Sequence, residues 1–110
     1  MVVAYLLLAL AIVAEVVGTL ALKMSDGFSK VMPTIFVFVG YLTAFASLGF
    51  GLSKGLSMGV AYGIWAGAGT ALVAILGVFL FGDKLSVWGF VGIGLIIVGV
   101  VMLEMGSSHN

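Results

Sequence analysis

One acidic side chain stands apart from the other charges in this sequence. Glu15 lies inside the apolar run Val2 to Leu22, which only it, Gly18 and Thr19 interrupt. It falls about 13 residues into the run, near the middle of a hydrocarbon layer that roughly 20 helical residues would cross. An ionised side chain at that depth costs about 2.5–3.5 kcal/mol on insertion scales. Its neighbours three, four and seven residues away are Leu8, Ala11, Ile12, Gly18, Thr19 and Leu22, so it has no helical partner. The group must be protonated, face a wet cavity or meet a cationic ligand. Desolvation disfavours a charged carboxylate, and a second carboxylate close by disfavours it further. A proton-coupled device requires an acid balanced in this way. A structural glutamate bonded to a neighbouring helix is the plainer reading. Ala11, Gly18 and Thr19 favour the functional one, because such small neighbours leave open space that a structural contact would fill.

Two pairs of aromatic residues could complete a cation site. Tyr62 and Trp65 are three apart in one apolar run, Tyr41 and Phe45 four apart in another. Each spacing puts its pair on one helical face. Trp65 lies about seven residues and Tyr41 about eight residues into its run, deeper than the interfacial belt where such rings usually sit. Ring faces beside a carboxylate suit a flat or lipophilic cation, through cation–π attraction added to ion pairing. Taken alone, the same rings would merely pack between helices. A metal site and a resident cofactor are not expected: the chain has no Cys, and its single His, His109, stands in the terminal tail.

The elements that hold these groups follow from composition. Of 110 residues, 64% are hydrophobic and 7% charged, against roughly 25% charged in a soluble domain. A water-soluble fold of this size needs a polar surface that these residues cannot supply. Soluble enzymes, nucleic-acid binders and disordered chains are thereby excluded. The apolar runs predict four membrane-spanning helices, at 2–22, 33–52, 58–81 and 87–103, in a single domain over 1–110. Pro33 fits the opening turn of the second helix, and Glu104 to Asn110 reads as a short polar tail. Runs this long, without alternating polarity, are not membrane β-strands. The first run has no basic leading segment and three further spans follow it, unlike a cleavable signal.

Net charge is zero. Lys23, Lys30 and Lys84 fall on one side of the membrane, Lys54 and the amino terminus on the other, a weak orientation signal. A chain so evenly balanced can insert both ways, and two oppositely inserted copies can form an antiparallel dimer. The lysines are expected to anchor span ends by snorkelling, with Asp26, Asp83 and Glu104 solvated. Gly59, Gly63 and Gly67 recur every four residues, a stripe for close helix contact. Gly67 and Gly69 mark a candidate bend. Gly92 and Gly99, seven apart with Gly89 near the same face, read as a dimer contact.

In combination these motifs resemble the small multidrug resistance transporters. The resemblance is carried by Ala14-Glu15-Val16-Val17-Gly18-Thr19, by Leu22-Lys23 and Ser25-Asp26-Gly27-Phe28, by the third-span run Gly59 to Gly69, and by Gly92 to Val100. It covers essentially the whole chain. It implies an all-α membrane protein of four transmembrane helices, assembled as an antiparallel dual-topology homodimer in the bacterial inner membrane. The paired Glu15 residues would bind either protons or a cationic substrate. Trp65, Tyr62, Tyr41 and Phe45 would line the substrate chamber with Leu8, Ala11, Ile12, Gly18 and Thr19. Gly67 and Gly69 would form the hinge, and Gly92 and Gly99 the dimer contact. The implied activity is proton-coupled export of lipophilic, aromatic or quaternary ammonium cations, with protons, cationic small molecules and the lipid bilayer as partners and no nucleic acid.

Guanidinium exporters of the same family tend to carry a Trp shortly after the glutamate, where this chain has Gly18-Thr19. The chain also has Ala66 where a hydroxyl often follows the third-span Trp, and Ala44 where Ser often follows the second-span Tyr by three residues. The alternatives are a guanidinium exporter and a non-transporting membrane subunit, such as a rotor protein with one proton-carrying carboxylate. Rotor subunits typically have two spans rather than four. A purely structural membrane protein would bind no ligand.

Overall fold

The computed structural model describes residues 1–106; His109 and the rest of the terminal tail lie outside the described residues. Four α-helices follow one another: α1 Val2–Met24, α2 Val31–Ser53, α3 Met58–Phe81 and α4 Val87–Gly106. Each is long and apolar enough to cross a membrane. At about 1.5 Å per residue, a helix such as α1, with 23 residues, reaches about 34 Å, enough for a hydrocarbon core of about 30 Å. Hydrocarbon offers no partner to backbone N–H and C=O groups, so an apolar run this long must satisfy them internally as a helix.

Three helix ends differ from the sequence expectation by two residues or more. α1 continues through Lys23 and Met24, because the buried Ser25 fixes its end rather than the first charge. α2 begins at Val31, placing Pro33 third in the helix, where a missing N–H is still harmless. α4 runs on to Gly106, so Glu104 belongs to its last turns and is half-buried, not part of a solvated tail.

The described residues group into two compact units, Met1–Leu56 and a second beginning at Ser57. In the first, α1 and α2 form a hairpin along a seam of small residues. The buried positions of α2 are Val37, Gly40, Ala44, Ser47 and Gly51, at alternating three- and four-residue steps. On α1 they include Ala4, Leu8, Ala11, Ala14, Gly18 and Ala21. Small side chains at this spacing let two backbones approach closely.

The turn of this hairpin is tied by Ser25, which is fully buried. Its hydroxyl donates to the Leu22 carbonyl at 2.7 Å and accepts from the Phe28 N–H at 3.1 Å. Its carbonyl accepts from the N–H groups of Ser29 and Lys30, at 2.9 and 3.1 Å. Asp26, Gly27 and Phe28 all lie in the left-handed region, at φ 49°, 68° and 67°, which is costly for the two that are not glycine. The Phe28 ring stacks on Phe38 of α2, with centroids 6.2 Å apart.

In the second unit, left-handed Gly82 ends α3 at φ 69°, the usual glycine stop. The Asp83 N–H then reaches back to the Gly77 carbonyl at 3.1 Å. α3 and α4 meet through glycine: a Cβ on Gly67 would lie 2.8 Å from Cγ2 of Val100 and 3.3 Å from Cγ2 of Ile96, and one on Gly63 would run into Leu103. No residue of α4 is buried.

Candidate functional site

The first hairpin brings its chemistry together where its side chains are smallest. A Cβ on Gly40 would sit 2.9 Å from the Ala14 carbonyl oxygen and from Gly18 Cα. A Cβ on Gly18 would sit 3.0 Å from Cδ1 of Tyr41. The Tyr41 ring therefore lies against α1 at Gly18, and its hydroxyl reaches the next residue. Thr19 Oγ1 and the Tyr41 hydroxyl are 2.8 Å apart. Thr19 Oγ1 also donates to Glu15 Oε1 at 3.0 Å, one helical turn back.

These contacts correct two sequence expectations. Glu15 does have a helical partner, the hydroxyl of Thr19. The space expected beside it is also taken: the Tyr41 ring fills the place over Gly18, and Ala11 is fully buried. The other carboxylate oxygen is different. Glu15 Oε2 is buried and makes no hydrogen bond among the described residues. Leaving such an oxygen unsatisfied costs about 1–3 kcal/mol, and more when the group is charged. One oxygen of this carboxylate is held by Thr19 and the other is bare.

The remaining expected site residues fall as follows. Leu8, Ala11 and Gly18 are buried along α1 and offer no free surface in the single chain, while Ile12 is half-buried. Phe45 lies one turn beyond Tyr41 and is 60% exposed. Tyr62 and Trp65 of α3 pair with each other, their centroids 5.6 Å apart and their planes tilted by 36°. α3 is helical through Gly67 and Gly69. Gly92 and Gly99 face open space, with nothing within 4 Å of an added Cβ. Gly59, the first member of the expected stripe, also meets nothing, so that stripe contacts α4 only at Gly63 and Gly67. No cluster of His, Cys, Asp and Glu able to hold a metal occurs among the described residues.

Sequence reasoning included Thr19 only as a small lining residue and missed its bond to Glu15. A signal was present, since a hydroxyl four residues after a carboxylate on a helix stands within hydrogen-bonding reach.

Four helices able to span a membrane, with an acid held in the middle of the first, define a multi-pass membrane protein. Comparison with known proteins gives the particular family. Residues 3–96 match the family described as Small Multidrug Resistance protein, and the chain belongs to that family. It is 44% identical over 105 residues to multidrug resistance protein mmr of Mycolicibacterium paratuberculosis, covering 96% of this chain and 98% of the relative. It is 48% identical over 104 residues to multidrug resistance protein EbrB of Bacillus subtilis, covering 94% and 88%. It is 46% identical over 106 residues to quaternary ammonium compound-resistance protein QacE of Escherichia coli, covering 96% of each. The protein is accordingly a multi-pass bacterial membrane transport protein, and these three relatives are named for resistance rather than for an enzyme activity.

Proposed function

We propose that this chain is a proton-coupled antiporter for lipophilic, aromatic or quaternary ammonium cations, working as an antiparallel homodimer of oppositely inserted copies. The observation that carries this reading is Glu15 Oε2, a buried carboxylate oxygen on a membrane-spanning helix with no hydrogen-bond partner among the described residues. A proton or a substrate cation relieves the same unsatisfied charge. One site that cannot hold both at once couples their movements without any further residue. Protons from the outer, more acidic side bind the Glu15 pair. Reorientation exposes the pair to the cytoplasm, where a cation displaces the protons, and the return step releases the cation outside.

Ile12, Thr19, Tyr41 and Phe45 form the substrate-facing part of the first hairpin in this reading, with Leu8, Ala11 and Gly18 packed behind them. Tyr62 and Trp65 add ring faces from α3 for cation–π attraction. Gly67 and Gly69 let α3 bend, and the open faces of Gly92 and Gly99 admit the second copy. The balanced lysines permit both insertions. The name of QacE, the quaternary ammonium compound-resistance protein, supports a cationic substrate of that class.

Proteoliposomes test the mechanism directly. With the lumen acidic, the protein should accumulate tetraphenylphosphonium, and Glu15→Gln should abolish accumulation. Gradient-driven uptake that survives this substitution overturns the mechanism. Guanidinium in a parallel arm separates the aromatic-cation reading from a guanidinium exporter.

A further inference from the structure

The hydrogen bonds around Glu15 have a direction that follows from counting protons. A hydroxyl group has one hydrogen. Thr19 commits its hydrogen to Glu15 Oε1, so the bond of 2.8 Å between Thr19 Oγ1 and Tyr41 must be donated by the Tyr41 phenol. The chain then runs from Tyr41 through Thr19 to a charged carboxylate. Protonation changes this. A proton on Oε2 would leave an O–H with no acceptor, because that oxygen has no partner. A proton on Oε1 finds one at once, provided the chain turns round. Glu15 then donates to Thr19, Thr19 donates to the phenolic oxygen, and the Tyr41 hydrogen is freed to point elsewhere.

We infer that Thr19 is a positioning residue that reverses a Tyr41–Thr19–Glu15 hydroxyl chain whenever Glu15 takes up or loses its proton. With Glu15 charged, Tyr41 turns its lone pairs outward and Oε2 stands bare, both favourable to a cation. With Glu15 protonated, Tyr41 turns its hydrogen outward, which disfavours one. The chain adds to the mutual exclusion of proton and cation beyond what charge alone supplies. This inference rests on Glu15 as the shared site and specifies how that site reports its occupant. α2, the helix packed against α1 in this unit, brings Tyr41 as its one titratable side chain. α1 adds Tyr5 and Lys23 toward its ends, and Asp26, Lys30 and Lys54 lie in or beside the turns.

The test is tetraphenylphosphonium binding to the purified full-length protein across a pH series. Thr19→Val keeps the shape and removes the chain. It should weaken binding at alkaline pH by about tenfold, the order expected when Tyr41 is no longer held with its lone pairs toward a charged ligand. It should also alter the pH profile of proton competition, because the reversal of the chain no longer accompanies uptake of the proton. Thr19→Ser should restore both. Tyr41→Phe should weaken binding on its own, yet add little in the Thr19→Val background, since both remove one chain. A Thr19→Val profile matching wild type, failure of Thr19→Ser to rescue, or additive effects of the two substitutions would each overturn the inference. Absence of proton competition in the wild-type protein would instead overturn the proposed function, so the two failures are distinguishable.

Discussion

The two hairpins use glycine in opposite ways. Between α1 and α2, Gly40 admits the backbone of the facing helix itself, at Ala14 and Gly18. Between α3 and α4, Gly63 and Gly67 admit only the ends of aliphatic side chains, Leu103, Val100 and Ile96. The first arrangement fixes the helices within a few tenths of an ångström. It places a tyrosine ring over Gly18 and a hydroxyl at hydrogen-bond distance from Thr19. The second arrangement tolerates movement. At the end away from the Gly82 connection it leaves a groove of about 590 Å³ lined by Ser57, Gly59, Val60, Gly99, Met102, Leu103 and Gly106. The hairpin that holds the mid-span acid is packed backbone against backbone, and the other hairpin is not. Positioning a hydrogen-bonded chain demands that rigidity, because such bonds weaken steeply with small errors in distance and angle.

The hardest way to break this contrast is Gly40→Ala. The added methyl would meet backbone atoms at 2.9 Å, and backbone cannot rotate aside. The helices must separate, at a cost of about 1–3 kcal/mol or more for overpacking, and Tyr41 leaves Thr19 with them. The expected outcome is a lower unfolding midpoint in detergent together with weaker tetraphenylphosphonium binding. Full binding by Gly40→Ala would show that the seam does not position the site.

Gly67→Ala should do less. The methyl meets Val100 Cγ2 and Ile96 Cγ2, side-chain ends on a helix with no buried residue in the single chain, which can give by a few tenths of an ångström. The gain in helix propensity, up to about 1 kcal/mol from Gly to Ala, offsets part of the strain. The unfolding midpoint should fall less than in Gly40→Ala. An equal or larger fall would mean that the second hairpin is as tightly specified as the first.

How much of this was legible in the sequence depends on which kind of periodicity a helix carries. Span length needs none: the apolar runs placed all four helices, and depth alone singled out Glu15. Helix facing is harder. In water the buried face is marked by apolar residues at helical spacing, but a membrane helix is apolar all round and that contrast disappears. What survives is the period of the small residues. On α2 it is plain in Gly40, Ala44, Ser47 and Gly51, and it could have aligned Tyr41 with Gly18 and Thr19. Two polar residues depart from the pattern, each for its own physical reason. Ser25 sits in the most polar stretch yet is fully buried, because its side chain and carbonyl tie the turn. Glu104 looked like the start of a tail, yet α4 continues past it, since an acid near a span end can lean toward the interface while its backbone stays helical.

The smallest effect on the single chain belongs to Gly92→Ala. An added Cβ meets nothing within 4 Å, and the neighbouring face of α4 is lined with exposed Val91, Leu95, Val98 and Met102. Helicity and the unfolding of the hairpin should be unchanged, or slightly improved by propensity. If Gly92 and Gly99 admit a second copy, the consequence appears only between copies. Energy transfer between differently labelled copies in vesicles should fall for Gly92→Ala and further for the double substitution with Gly99→Ala, while circular dichroism stays constant. Constant transfer would remove these glycines from the dimer contact. Reduced transfer at constant helicity would set the two hairpins apart fully: one packed within the copy to hold the acid, the other left open by its own glycines for a neighbour.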